Sequence, residues 1–252
     1  PAPDAAPAVR SDALRLAVAP LPEPATARGV AFRGRDLARD VHRTADVVVI
    51  GSGAGGAVVA ARLAEAGHEV VVVESGGLWT AEDFVEEEAP LTERLYAVQG
   101  LQATDDLAVT MFQGDAVGGS TTVNWMLMLR PDPPVRDEWA RRFGVAAMVD
   151  GTLDRALERV WHDVHARPVP PEAHSPNNRH LLAGAAALGW RARAGEVNAR
   201  GCVRAGFCGV GCRYDAKQGT LVTYVPRALA AGATLFADAR AVRVGQQERG
   251  TG

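Results

Sequence analysis

The stretch "DVVVIGSGAGGAVVAARLAEAGHEVVVVESGG", Asp46 to Gly77, decides the fold. "DVVVI" is a short, continuous β-branched run of the kind that forms a strand buried on both faces of a parallel sheet. Glycines follow, then "AVVAARLAEA" with small and apolar residues at helical spacing. Gly67 closes that helix, and "EVVVVE" reads as a second buried strand. Strand, helix and strand make a βαβ unit, so the fold class expected is α/β, a Rossmann-like dinucleotide-binding domain.

Between the first strand and the helix, Gly51-Ser52-Gly53-Ala54-Gly55-Gly56 satisfies G-x-G-x-x-G, and Glu74 stands at the end of the second strand, 18 positions after Gly56. The string alone is weak evidence; the strand before it, the helix after it and the acidic residue beyond complete the required context. Gly51 allows the tight turn, Gly53 lets the backbone approach a pyrophosphate, and Gly56 lets helix and sheet pack closely. The helix N-terminus offers N–H groups and about half a positive charge to phosphates. Glu74 is expected to accept hydrogen bonds from ribose hydroxyls. FAD and NAD both use this unit, and the glycines do not choose between them.

A second motif does. "GDAVGGSTTVN", Gly114 to Asn124, resembles the flavin-side segment of the glucose–methanol–choline (GMC) oxidoreductases through Gly114, Val117, Gly118, Gly119, Ser120, Thr121, Val123 and Asn124. Asp115 departs from that pattern, because relatives more often carry Arg, Lys or Asn there. A third block, "GFCGVGCRYDAKQGTLVTYVPRALAAGATLFADARAVRV", resembles long-chain alcohol oxidase-like members. The resemblance implies FAD as cofactor, with Gly51, Ser52, Gly53, Gly55, Gly56 and Glu74 toward its dinucleotide. It also implies Val117, Gly118, Gly119, Ser120, Thr121 and Asn124 beside the ring, and Ala241, in a strand "ARAVRV", beside the adenine. The activity implied is oxidation of an alcohol C–OH group, of long-chain or hydrophobic type, with hydride passing to flavin N5 and on to a further electron acceptor.

The family's catalytic base is a His in its C-terminal region, and that residue is expected beyond Gly252. None of His42, His68, His162, His165, His174 or His180 is a candidate. The 252-residue chain is therefore expected to be the FAD-binding N-terminal portion of an alcohol oxidase or dehydrogenase, inactive by itself. The alternatives are a catalytically silent FAD-binding module and an NAD-dependent dehydrogenase. Cys202, Cys208 and Cys212, spaced C-x5-C-x3-C, would permit an iron–sulfur cluster, as in some electron-transferring relatives; the plainer reading is structural cysteines and no metal.

The remainder of the chain is less specific. Composition is that of a soluble globular protein, 47% hydrophobic and 23% charged, with a net charge of −3 and no long basic run, which argues against nucleic acid. No apolar run approaches transmembrane length. Three clustered cysteines suggest a reducing, cytoplasmic location, and the lack of an initiator Met points to a start upstream. Residues 1–45 read as an N-terminal extension with no strand, opening on a short helix in "ALRLAVAPLPEPA". Residues 46–130 read as the first part of the FAD-binding domain, 131–200 as a mainly helical insertion, and 201–252 as the domain's continuation. Within these, 78–112 is expected to be irregular with a solvated acidic face, "ARPVPPEAHSPNN" a loop, and 220–231 a helix followed by two strands.

Overall fold

The computed structural model describes residues 29–245; the helix expected in "ALRLAVAPLPEPA" lies outside them. Four parallel strands form the central sheet, side by side in the order β1 (Val30–Arg33), β9 (Thr234–Ala237), β3 (Val70–Val73) and β2 (Val47–Ile50). The expected crossover from β2 to β3 is α1 (Gly56–Glu65), and the strands pair in register from Val47–Val70 to Ile50–Val73. On one face of the sheet α1 packs against α7 (Tyr224–Ala230). Alanines make this approach possible. Ala57, Ala60, Ala61 and Ala64 are the buried positions of α1, and their small side chains let the helix close on Val49, Val72, Leu235 and Tyr224.

The other elements surround this frame. The two-residue strands β4 (Gln102–Ala103) and β5 (Thr110–Met111) pair antiparallel, and β6 (Leu127–Met128), β8 (Glu196–Asn198) and β7 (Ala166–Pro168) form an antiparallel sheet in that order. Helices α2 (Glu88–Leu95), α3 (Ser120–Val123), α4 (Pro133–Phe143), α5 (Thr152–Asp163) and α6 (Pro176–Ala187) complete the described residues, in which no helix is long and apolar enough to cross a membrane.

Several local expectations are corrected. A strand does precede Asp46: β1 pairs with β9, some 200 residues downstream, and Phe32 stacks on Phe236 with ring centroids 5.2 Å apart. "VAFR" has no strand signature of its own; the distant partner creates it. β2 is not buried on both faces, since Val48 and Ile50 are 59% and 58% exposed. It is an edge strand, and the helices α1 and α7 cover only one side. Within 78–112, α2 turns Leu91 and Leu95 inward to join Phe84, so the acidic stretch has an apolar underside. α6 starts inside the supposed loop, where Ser175 Oγ accepts the Asn178 N–H at 3.3 Å and Pro176 takes the first helical position. Among the described residues only one strand follows α7. "ARAVRV" is not a strand, because it has no sheet neighbour for its backbone, and Val242 and Val244 stand exposed.

Asp163 ties α5 to the main layer. It accepts hydrogen bonds from Arg62 Nη2 of α1 at 3.0 Å, Arg227 Nη1 of α7 at 2.8 Å and the Tyr224 hydroxyl at 3.0 Å. Burial disfavours its charge, but the bonds from Arg227, His162 and Tyr224 outweigh burial and hold the carboxyl below the ordinary 3.8. A depressed carboxylate adds stability above the unfolded-state value and loses it as pH falls through the folded-state value. Urea unfolding between pH 6 and 2.5 should therefore show a stability loss below about pH 3.8 that is reduced in Asp163→Asn. In the core, Leu235→Ala should cost about 3 kcal/mol with an unchanged urea slope.

Candidate functional site

The turn from β2 into α1 has the predicted geometry. Gly51, at φ +88°, donates its N–H to Val73 O at 2.8 Å. At Gly56 a Cβ would collide with the Gly51 carbonyl oxygen and come within 3.2 Å of Val49 Cγ1, so only glycine lets α1 leave the strand here. No side chain caps α1, and its first turn holds no acidic residue. Among the described residues the N–H groups of Gly53, Ala54 and Gly55 find no acceptor. Unfilled donors at the positive end of a ten-residue helix suit a negatively charged group.

Glu74 is engaged within the protein itself. It is buried, and Oε2 accepts both the Ser52 N–H at 2.8 Å and the Ser52 hydroxyl at 2.7 Å. Oε1 accepts the Gly76 N–H at 2.9 Å. Ser75 Oγ lies 3.3 Å from Oε1 but 2.7 Å from Asp115 Oδ1. A hydroxyl has one proton, and Asp115 is the better placed to take it, which leaves a lone pair of Oε1 for a donor from outside.

From Ser52 the connections run to the second motif. Gly118 donates its N–H to Ser52 Oγ at 3.0 Å. Thr220 Oγ1 lies 3.1 Å from Ser52 O and 3.2 Å from Gly118 O, while Thr121 Oγ1 donates to Gly118 O at 2.6 Å and accepts the Thr220 N–H at 2.9 Å. Gly119 sits at φ +52°, and a Cβ on it would stand 2.8 Å from Gly53 Cα. The two glycine loops thus meet backbone to backbone. Val117 is buried beneath them, Ser120 Oγ accepts the Gly114 N–H at 3.0 Å, and half-buried Asn124 receives the Met126 N–H on Oδ1 at 3.1 Å. Beside this loop a cleft of about 500 Å³ opens between α2 and Asn124, lined by Glu88, Tyr96, Phe112, Ser120 and Trp125 among others.

Thus Gly51, Ser52, Gly53, Gly55, Gly56, Glu74, Val117, Gly118, Gly119, Ser120, Thr121 and Asn124 cluster as one region. Ala241 does not join them: it is exposed, four residues past the end of β9. The backbone that lies beside Glu74 is Asp238–Ala239, with Ala239 N–H donating to Glu74 O at 2.8 Å and Asp238 N–H to Gly76 O at 2.9 Å. No histidine hydrogen-bonds to either loop among the described residues; His68 lies beside Asp46, His162 beside Asp163, and His174 bonds Val169 O. Nor do three His, Cys, Asp or Glu side chains come together as a metal site, the three free cysteines included. Burial pushes the Cys208 thiol above its ordinary value.

Two residues were missed at the sequence level. Thr220 closes the network between the loops, and nothing in "KQGT" announces that. Lys217, by contrast, carried a signal: it is the only lysine among the 27 Lys and Arg residues. It is buried, and Nζ donates to Thr122 O at 2.7 Å, to Asn124 O at 3.0 Å and to Cys208 O.

Two substitutions test this junction. Gly119→Ala presses a methyl group on Gly53 and strains a positive φ, and should lower stability by about 1–3 kcal/mol in urea unfolding. Glu74→Gln turns an NH2 toward the Ser52 or Gly76 donors, and should cost about 2 kcal/mol where a mere size effect would cost nothing.

Comparison with known proteins identifies the family. The family model described as GMC oxidoreductase matches residues 45–252. An uncharacterized GMC-type oxidoreductase of Mycobacterium tuberculosis is 41% identical over 203 residues, 79% of this chain and 32% of the relative. A long-chain-alcohol oxidase of Arabidopsis thaliana is 36% identical over 214 residues, 83% of this chain and 28% of the relative. The chain therefore spans about a third of the length of these curated relatives. The crystal structure of pyridoxine 4-oxidase from Mesorbium loti has the same fold, with a TM-score of 0.50 over 77% of this chain and 42% of that one at 19% identity. Motifs, fold and family match agree, and the chain belongs to the GMC oxidoreductase family, as its N-terminal, FAD-binding part.

Proposed function

We propose that this chain holds FAD across the junction of its two glycine loops and serves the oxidation of alcohols. The observation that carries the reading is the contact of Gly53 with Gly119 beside the unfilled N–H groups of Gly53, Ala54 and Gly55. A diphosphate fits those donors, which no side chain of the described residues fills. The open lone pair of Glu74 Oε1 fits a ribose hydroxyl. The cleft beside Asn124, with Tyr96, Phe112 and Trp125 in its lining, has room for a flat or long apolar group. An NAD-dependent dehydrogenase has no use for the loop from Gly114 to Asn124.

A bound flavin supplies the acceptor for the hydride that leaves the C–OH carbon. The chain's own contribution is to bind and orient: Gly51–Gly56 at the phosphates, with Gly118–Ser120 and Asn124 at the ring side. A relative bearing the name long-chain-alcohol oxidase, and a cholesterol oxidase of M. tuberculosis 28% identical over 221 residues, 76% of this chain and 38% of that one, favour a hydrophobic alcohol as substrate. A base must lie within about 2.6–3.2 Å of the hydroxyl proton, and no histidine of the described residues bonds to the loops. Catalysis accordingly requires residues outside this set, and an electron acceptor completes the cycle. In domain terms 46–130 and 201–252 belong to the FAD-binding domain, which also recruits β1 from the 1–45 extension, and 131–200 is the insertion.

Refolding or purification with FAD should yield a yellow 252-residue chain with one FAD per chain that does not exchange for NAD. A chain that takes NAD and refuses FAD would overturn the reading. Anaerobic addition of a long-chain alcohol should leave the yellow colour unchanged; bleaching would show that the base is within the chain.

A further inference from the structure

Lys217 is the only lysine in the 252-residue sequence; the other 26 Lys and Arg positions are arginine. Burial of a lysine is costly unless its charge is matched, and here three carbonyl oxygens meet it: Thr122 at 2.7 Å, Asn124 at 3.0 Å, and Cys208. They come from α3, from the residue that ends the second glycine loop, and from the short turn Cys208–Val210. An ammonium has three protons and distributes them tetrahedrally, one to each carbonyl. A guanidinium is planar and presents its donors in a fork, which suits a carboxylate and not three separate oxygens. The Asn124 and Thr122 carbonyls accept no other hydrogen bond from outside the regular elements. Without the ammonium both would be left unpaired beside the buried Thr122 and Val210.

We propose that Lys217 is a positioning residue: its ammonium fixes the backbone at Thr122 and Asn124, and so sets the ring side of the dinucleotide site while leaving the phosphate side untouched. The phosphate side is built from Gly51–Gly56, with Glu74 and Ser52, and Lys217 touches none of these. Burial, partly opposed by the nearby Cys208 and Cys212, draws the amine from 10.5 to about 8, so the group remains an ammonium at neutral pH. The inference rests on the FAD reading above.

The test compares FAD with ADP, which shares only the phosphate side. In the 252-residue chain, Lys217→Met and Lys217→Arg should each weaken FAD binding at least tenfold and leave ADP binding within about twofold. Equal loss of both ligands would reduce Lys217 to a general structural role, and an arginine variant that binds FAD normally would show that the ammonium is not required; either result overturns the proposal. Failure of the unaltered chain to bind FAD would instead sink the FAD reading. A measurement on the unaltered protein covers the case of variants that do not fold. Labelling with 15N-lysine gives a single side-chain signal, which should shift on adding FAD and stay in place on adding ADP. A signal that ignores FAD, or that responds alike to both, contradicts the proposal.

Discussion

A buried carboxylate organises this site. Glu74 receives the backbone and hydroxyl protons of Ser52 on one oxygen and the Gly76 N–H on the other. The Ser52 hydroxyl donates its hydrogen to Glu74, and its oxygen accepts the Gly118 N–H. One negative charge thereby orders the end of β3, the turn after β2 and the second glycine loop. Charge-assisted bonds of this kind are roughly twice as strong as neutral ones, and their burial excludes the water that would compete with them. Two glycine loops can then touch at Gly53 and Gly119, a contact that side chains on either would prevent.

The frame behind that node follows from small residues and parallel pairing. Alanines on α1 draw the helix onto the sheet and α7, which aims its N-terminus at the junction. Asp163, Arg62, Arg227 and Glu65 then link α5, α1 and α7 at the far end of the helix. The opposite face of the sheet is less covered. Val48 and Ile50 remain exposed on the edge strand β2, and a broad groove runs between the segment from Leu37 to Arg43 and Val48, Val71 and Val73.

The βαβ unit was legible because all of its determinants are local: a β-branched run, a glycine turn, alanines at helical spacing and a second run. The loop from Gly114 to Asn124 was legible by resemblance, and its meeting with the first loop is now explained by Ser52 and Gly118. What sequence reading lost was non-local. β1 exists through Phe32 and its pairing with β9; the cover on β2 depends on neighbours and not on its valines; α2 is set by Leu91 and Leu95 packing under Phe84. Thr220 and Lys217 act on residues about 100 positions away, so no spacing rule could find them. The expected strand around Ala241 is displaced along the chain: the strand beside β3 is "TLFA", ending at Ala237.

The central claim is that the two glycine loops are linked by hydrogen bonds through Ser52 and Gly118. A double-mutant cycle of Ser52→Ala and Thr121→Val, read by urea unfolding, measures this most directly, since both hydroxyls bond to Gly118 from different loops. A coupling energy of about 1 kcal/mol or more is the predicted result, as found for residues that share one hydrogen-bond network. Strict additivity within about 0.3 kcal/mol would mean that the loops fold independently, and would contradict the account.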